Sequence, residues 1–313
     1  MTASLASIAS PNPLPNDLIF LERGWLSSNT TLLLGSHPVV IDSGHHSHAN
    51  QLLELIQHSL GTQAPDQLIN THLHSDHCGG NQAIQSRWPG IDIFIPQSVF
   101  KATRSWDQNT LTFEATGQHC PRFVPTNALS DGQELVLNGR TWQIHNAHGH
   151  DADSFVLFAP KERILLSADA LWENGFGVLF DELNTAKGFE SQAKTLQLIH
   201  TLKPSWVLPG HGPIFCDVSR ALDKAQARLE HWQKNPSLHS QHAALVLMKF
   251  HLMVNEEVPI TDLLSWAHRV HHLKFIYKSQ QEHDSFESWF RQRLETLSDK
   301  KALDLKDGVA YNR

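Results

Sequence analysis

The chain has 313 residues, with 25 Lys and Arg against 32 Asp and Glu and a formal net charge of −7. That charge excludes a global basic field of the kind that gathers nucleic acid or anionic membrane. With 40% hydrophobic and 18% charged residues, the composition is that of a soluble globular protein with room for one large domain and one small.

In chain order, residues 1–16 are rich in Ala, Ser and Pro and are expected to be flexible, without the basic start or apolar run of a signal peptide. No segment approaches the length of a membrane span. Cys78, Cys120 and Cys216 have no paired spacing and read as free thiols in a reducing cytosol, so a cytoplasmic placement is expected. Residues 18–42 predict paired strands, the last ending in Asp42-Ser43-Gly44. His45, His46 and His48 read as exposed residues leading into a helix over 51–57, with the edge of a cleft as the alternative.

The densest chemistry follows a strand expected over 66–70. His72-Leu73-His74-Ser75-Asp76-His77 places three imidazoles and a carboxylate within six positions. Residues two apart share a face in an extended segment, so His72 and His74 point together. Asp76 and His77 fall where the chain turns into the next helix and can face a neighbouring point, an arrangement suited to two adjacent metal ions. Another strand is expected over 91–95, and the irregular stretch 98–127 reads either as a flap or wall of the site or as aromatics packed on the body of the domain. Strands over 141–144, 163–166 and 206–208 each end in a Gly- or Ala-lined loop that offers a ligand: His148 or His150, then Asp169, then His211. Trp172, Asn174 and Phe176 lie just beyond Asp169 and are candidate substrate contacts, with aromatics that close the core as the equal alternative. An amphipathic helix over 190–202 carries the chain towards His211. From residue 220 the charge balance changes, 14 Lys and Arg against 12 Asp and Glu, which leaves the acidic excess in the preceding part. Helices are expected over 219–233, 243–254, from 259 onwards and over 285–297, then a hairpin turning at Asp307-Gly308.

The ordered set, a His-x-His-x-Asp-His loop, a Gly-His, an Asp and a second Gly-His, resembles the metallo-β-lactamase fold superfamily over about residues 17–216. The resemblance implies an α/β fold with an αββα sandwich over 17–219, and the order of helices and then a hairpin makes 220–313 a smaller, mainly helical C-terminal domain that resembles a winged helix in element order alone. It implies that His72, His74 and His150 hold one metal, that Asp76, His77 and His211 hold a second, and that Asp169 bridges them. Asp42 then orients ligands from behind. Gly149-His150 with Ser154 fits the family pattern, so His150 is the expected ligand and His148 a neighbour outside the metal site. The ions are expected to be zinc, with iron or manganese compatible with the same ligand types. They would lower the pKa of a shared water, and metal-bound hydroxide would attack the substrate, with Asp76 as ligand and proton acceptor. The implied activity is glyoxalase II-like hydrolysis of a small-molecule thioester, ester or lactone. The alternatives are a phosphodiesterase or ribonuclease whose C-terminal domain helps bind nucleic acid, and a metal-retaining ligand-binding regulatory protein. The near-neutral charge of the C-terminal unit favours packing beside the site over nucleic-acid binding or pairing in a homodimer.

Overall fold

The structure, a computed structural model, describes residues 13–108, 110–280 and 285–313, so most of the expected flexible stretch 1–16 lies outside the described residues. The first half runs β1 (Leu18–Leu21), β2 (Thr30–Leu33), β3 (Val39–Ile41), α1 (Ala49–Leu60), β4 (Gln67–Ile69), α2 (Ser75–Cys78), α3 (Asn81–Arg87), β5 (Asp92–Pro96), α4 (Gln97–Ser105), α5 (Phe113–Thr116) and β6 (Asn127–Leu129). Its strands form one sheet in sequence order, antiparallel from β1 to β3 and parallel from β3 to β6. The second half runs β7 (Glu134–Leu137), β8 (Arg140–Asn146), β9 (Phe155–Ala159), β10 (Ile164–Ala168), α6 (Phe180–Thr185), α7 (Gly188–Leu202) and β11 (Trp206–Pro209). Here the sheet order is β11-β10-β9-β8-β7.

Period-two alternation explains the layering. Successive strand residues face opposite ways, and in these strands both faces are apolar. Leu32, Val40 and Leu68 pack outwards against Leu52 and Ile56 of α1 and Ile84 of α3. Their neighbours Leu33, Val39, Ile41 and Ile69 pack inwards against Trp142, Ile144, Phe155 and Leu157 of the second sheet. On the far side, Val156, Phe158, Leu165 and Val207 meet Leu196 and Ile199 of α7. Helix, sheet, sheet, helix is therefore the layer order, the αββα arrangement expected.

The chain continues as α8 (Val218–Lys234), α9 (Pro236–Asn255), β12 (Glu257–Pro259), α10 (Ile260–Ala267), α11 (His271–Gln280), α12 (Phe286–Asp299), β13 (Leu303–Lys306) and β14 (Val309–Asn312). Helix α8 buries Ala221, Ala225 and Leu229 in the outer layer of the second sheet, although its start coincides with the expected domain boundary. A separate core begins with α9, where Leu247, Met248 and Leu252 meet Leu263, Trp289 and Phe290. The hairpin turns at Asp307-Gly308, and β14 also pairs with β12, giving a small sheet in the order β12-β14-β13. This C-terminal core also takes in Val178, Phe180 and Leu183 from the segment that follows Asp169. His45 departs from expectation: it is buried against Phe250 of α9, while His46 and His48 are half-buried.

Candidate metal centre

Every expected ligand follows the C-terminal end of a strand. Strands β8 and β10 both run antiparallel to β9, and β11 is parallel to β10, so their ends open on one edge. The ends of β3 and β4 reach that edge from the first sheet. Asn29 ties the two sheets together there, its side-chain amide donating to Pro209 O at 2.9 Å and to Gly212 O at 2.8 Å. The backbone is bent into the left-handed region at Asp42 (φ 58°) and Ala168 (φ 46°), both beside the cluster, where non-glycine residues are costly and point to a functional constraint.

The structure brings His72, His74, Asp76, His77, His150, Asp169 and His211 together, all buried or nearly so. His72 Nε2 lies 3.1 Å from His74 Nδ1, which lies 2.8 Å from His150 Nε2. A tetrahedral ion with ordinary Zn–N bonds would hold such nitrogens about 3.3 Å apart, so the three fit one ion after a small relaxation. On the other side, Asp76 Oδ2 is 3.1 Å from His211 Nε2 and 3.9 Å from His77 Nε2. Asp169 stands between, with Oδ2 3.3 Å from His150 Nε2 and Oδ1 3.4 Å from His77 Nε2. The donor chemistry fits as well: His77 Nε2 is buried without a hydrogen-bond partner, aimed into this group. Gly210 makes the close approach possible, because a Cβ there would strike Asp169 Oδ1.

The ring nitrogens facing away from the cluster are held from behind. Asp42 Oδ2 accepts from His77 Nδ1 at 2.8 Å and is itself fixed by the Thr71 hydroxyl at 2.8 Å. Val178 O accepts from His150 Nδ1 at 2.6 Å, and Asp151 Oδ2 lies 3.1 Å from His74 Nε2. Such partners fix the ring orientation and the tautomer that leaves the inner nitrogen free to ligate. The charges follow this pattern. Burial pushes the His72 imidazole well below its usual range and the His150 imidazole to about 4, keeping both neutral. Burial opposes the charge on His77 as well, but Asp169 and Asp42 overcome it and raise its pKa well above the ordinary value. Asp76 resists the burial that would protonate it, and His77 and His211 hold its carboxyl at about 2.

The cluster opens into a cavity of about 440 Å³. Trp172 lines it and donates from Nε1 to Asp169 Oδ1 at 3.3 Å. Asn174 lies on the rim with its side chain accepting from Lys224, and Phe176 touches the cavity while being only 1% exposed and packed on Trp232. His148 is not among the converging side chains; its carbonyl accepts from the Thr195 hydroxyl. In the stretch 98–127, Phe113 and Phe123 pack into the core, while Gln118 reaches the cavity and accepts from Ser75 Oγ at 2.7 Å. Sequence reasoning missed Asp151, Asn29 and the wall residue Trp25. Asp151 had a signal, an acid adjoining a ligand histidine. Trp25 had none, since its ring comes parallel to His211 (centroids 5.3 Å, interplanar angle 7°) only through the fold.

The profile of the Metallo-beta-lactamase superfamily matches residues 23–211. A Caenorhabditis elegans protein named Beta-lactamase-like protein 2 homolog is 26% identical over 212 residues, which are 66% of this chain and 62% of that protein. A Hydroxyacylglutathione hydrolase of Xanthomonas oryzae pv. oryzae is 26% identical over 176 residues, 56% of this chain and 55% of that protein, so this chain matches less than two thirds of either relative's length. The crystal structure of a metallo-beta-lactamase family protein from Thermus thermophilus superposes with a TM-score of 0.57 at 19% identity, covering 95% of this chain and 98% of that one. With the match spanning more than half of its residues, the chain belongs to the metallo-beta-lactamase superfamily.

Proposed function

We propose that the protein is a metal-dependent hydrolase with a dinuclear site, acting on an acyl thioester or a related ester. The observation that carries this reading is the placement of Asp169, with one carboxylate oxygen towards His150 and the other towards His77 and His211. His72, His74 and His150 would hold one ion, Asp76, His77 and His211 the other, with Asp169 shared and zinc the expected metal. Such ions supply Lewis acidity and water of lowered pKa at neutral pH.

The chain's own residues do the rest. Asp76, ionised to about pH 2, stands at the cavity and can take the proton released by an attacking water. Trp172, through its bond to Asp169, holds that carboxylate in place, and Trp25, Phe180 and Phe250 give the cavity apolar walls. Asp42 and Asp151 fix the orientations of His77 and His74. The hydroxyacylglutathione hydrolase relatives favour a thioester among the acyl substrates. No helix among the described residues is long and apolar enough to cross a membrane, and we place the enzyme in the cytoplasm on its free thiols.

The test is hydrolysis of a model thioester, a lactone and a phosphodiester by the metal-loaded protein, with His150→Ala alongside. Acyl turnover lost in the variant is the expected result. Cleavage of the phosphodiester alone would overturn the reading in favour of a nuclease.

A further inference from the structure

Helix α9 has two apolar faces. One, with Ala244, Leu247, Met248 and Leu252, is buried in the C-terminal core. The other, with Leu238, Leu245, Val246, Phe250 and Met253, lines an open groove of about 820 Å³, with Leu245 and Val246 also packed against that core. A helix at the surface normally turns charged and polar residues to that side, so this face calls for an occupant.

The groove meets the metal cavity at four shared side chains, Trp25, His242, Val246 and Phe250. Trp25 is 60% exposed and its ring is parallel to that of His211, so these side chains form a threshold beside the metal groups. Cationic side chains line both the groove and the cavity. Arg228 lines the cavity and Lys300 the groove, and both charges reach His242 at the junction. Arg228 is half-buried and donates to Phe176 O at 3.3 Å. Neither Arg228 nor Lys300 makes an ion pair among the described residues, and no carboxylate side chain lines the groove. Lys249 is different: its ammonium is satisfied by Ala302 O at 2.7 Å and Asn312 Oδ1 at 2.5 Å, and it serves the fold. A guanidinium partly removed from water is stabilised by donating a charge-assisted hydrogen bond to an anion, which a ligand can bring.

We propose that the groove along α9 is the second half of the substrate site. It takes the long apolar acyl chain of an ester or thioester whose anionic carrier faces Arg228 and Lys300 around His242. The acyl chain passes between Trp25 and Phe250 and lies on Val246 and Met253. This rests on the hydrolase reading above, and the test separates the two. Binding is measured by calorimetry on thioether analogues, which cannot be hydrolysed, and turnover on the matching thioesters. The series pairs octanoyl-type with acetyl-type chains on 3-mercaptopropionate (anionic) or N-acetylcysteamine (neutral) carriers.

The long anionic thioether should bind about tenfold tighter than its neutral counterpart, the worth of one charge-assisted hydrogen bond. It should also bind more tightly than the short one. Arg228→Gln should bring the charge preference below about threefold. Lys300→Gln, on the exposed rim where folding is not at stake, should reduce it as well, with the change in KM rather than kcat for the thioester. Val246→Glu should abolish the chain-length preference. Equal affinity for anionic and neutral carriers, or for long and short chains, would overturn the proposal. Charge- and length-selective binding with no turnover of any thioester would sustain the groove and overturn the hydrolase reading instead.

Discussion

The sandwich and the C-terminal unit shape the same site by different physical means. In the sandwich, the working groups sit at strand ends and are held by polar contacts: hydrogen bonds joining Asp42 to His77 and Asn29 to the loop of His211, and the Asp151 carboxylate beside His74. In the C-terminal unit, the contribution is apolar packing against one segment. Val178 gives its side chain to the C-terminal core and its carbonyl to His150 Nδ1. Leu179 N donates to His239 on α9 at 3.1 Å, and Phe180 lies between His74 and His272. Residues 178–180 therefore join the converging side chains of one region to the packed core of the other.

The largest effect should come from the sandwich's own polar groups. Asp169→Ala is expected to lower acyl turnover on the order of a thousandfold, since several kcal/mol of transition-state stabilisation depend on the metals. Metal content of the purified variant, measured by mass spectrometry, should fall with it. Full metal content in both Asp169→Ala and His211→Ala would break the idea that strand-end polar groups hold the ions.

The C-terminal side is probed by Trp289→Ala. This ring is fully buried among Phe290 and Leu294 and donates to Gln280 Oε1 at 2.8 Å. Its truncation should cost about 3–5 kcal/mol in urea unfolding of the metal-depleted protein. If packing positions His150 through Val178, the variant should also release metal to a chelator faster than the parent. Lower stability with unchanged release would make the two regions independent.

The same contrast explains what was legible in the sequence. The converging His and Asp side chains at strand ends were readable because each is a local pattern: an apolar run, a small residue, then His or Asp. Alternation gave β5 and short apolar runs gave β4, β8, β10 and β11 close to their observed bounds, and Asp307-Gly308 gave the final hairpin. Residues whose role depends on contacts distant in sequence carried no such mark. His45 reads as a surface histidine beside His46 and His48 until α9 brings Phe250 against it. Phe176 reads as a substrate contact from its place in the chain, yet its ring is packed on Trp232 of α8. Helix α8 looks like the start of a new unit because the charge balance changes there, while its apolar stripe belongs to the layer beneath it.

Acid bears on the same link. His239 is fully buried, its neutral ring accepts from Leu179 N, and burial holds its pKa at about 4. In the unfolded chain an imidazole titrates near 6.5. Between those values the unfolded state binds a proton that the native state does not, so stability is lost as pH falls from about 6.5 towards 4. The contribution of this one group is about 3 kcal/mol at most. His45 and His272 are held to about 4 as well, chiefly by burial, and act in the same direction. Urea unfolding of chelator-treated protein across this range should show the loss, and His239→Gln, which keeps an acceptor for Leu179 N, should lessen it. An equally steep loss in the variant would place the pH dependence elsewhere than at the link.

The smallest effect expected is at Asp151, and it tests whether hydrogen bonding from behind matters to a ligand. Asp153 N donates to Asp151 Oδ1 at 2.6 Å, which fixes the carboxylate while Oδ2 faces His74 Nε2. Asp151→Asn keeps the shape and removes the charge, and should weaken metal binding about 10–100-fold. The pH dependence gives the finer test. Burial lowers the His74 pKa, but the hydrogen bond and charge of Asp151 raise it above the ordinary value, so in the parent protein a proton competes with metal for His74. Without that charge the competing proton is held less tightly, and the imidazole is also a weaker donor to metal. At high pH only the second effect operates, so parent and variant should differ most there. As pH falls, proton competition penalises the parent more, and the two affinities should converge. A difference that is constant across pH would mean that Asp151 acts on the site without acting through His74.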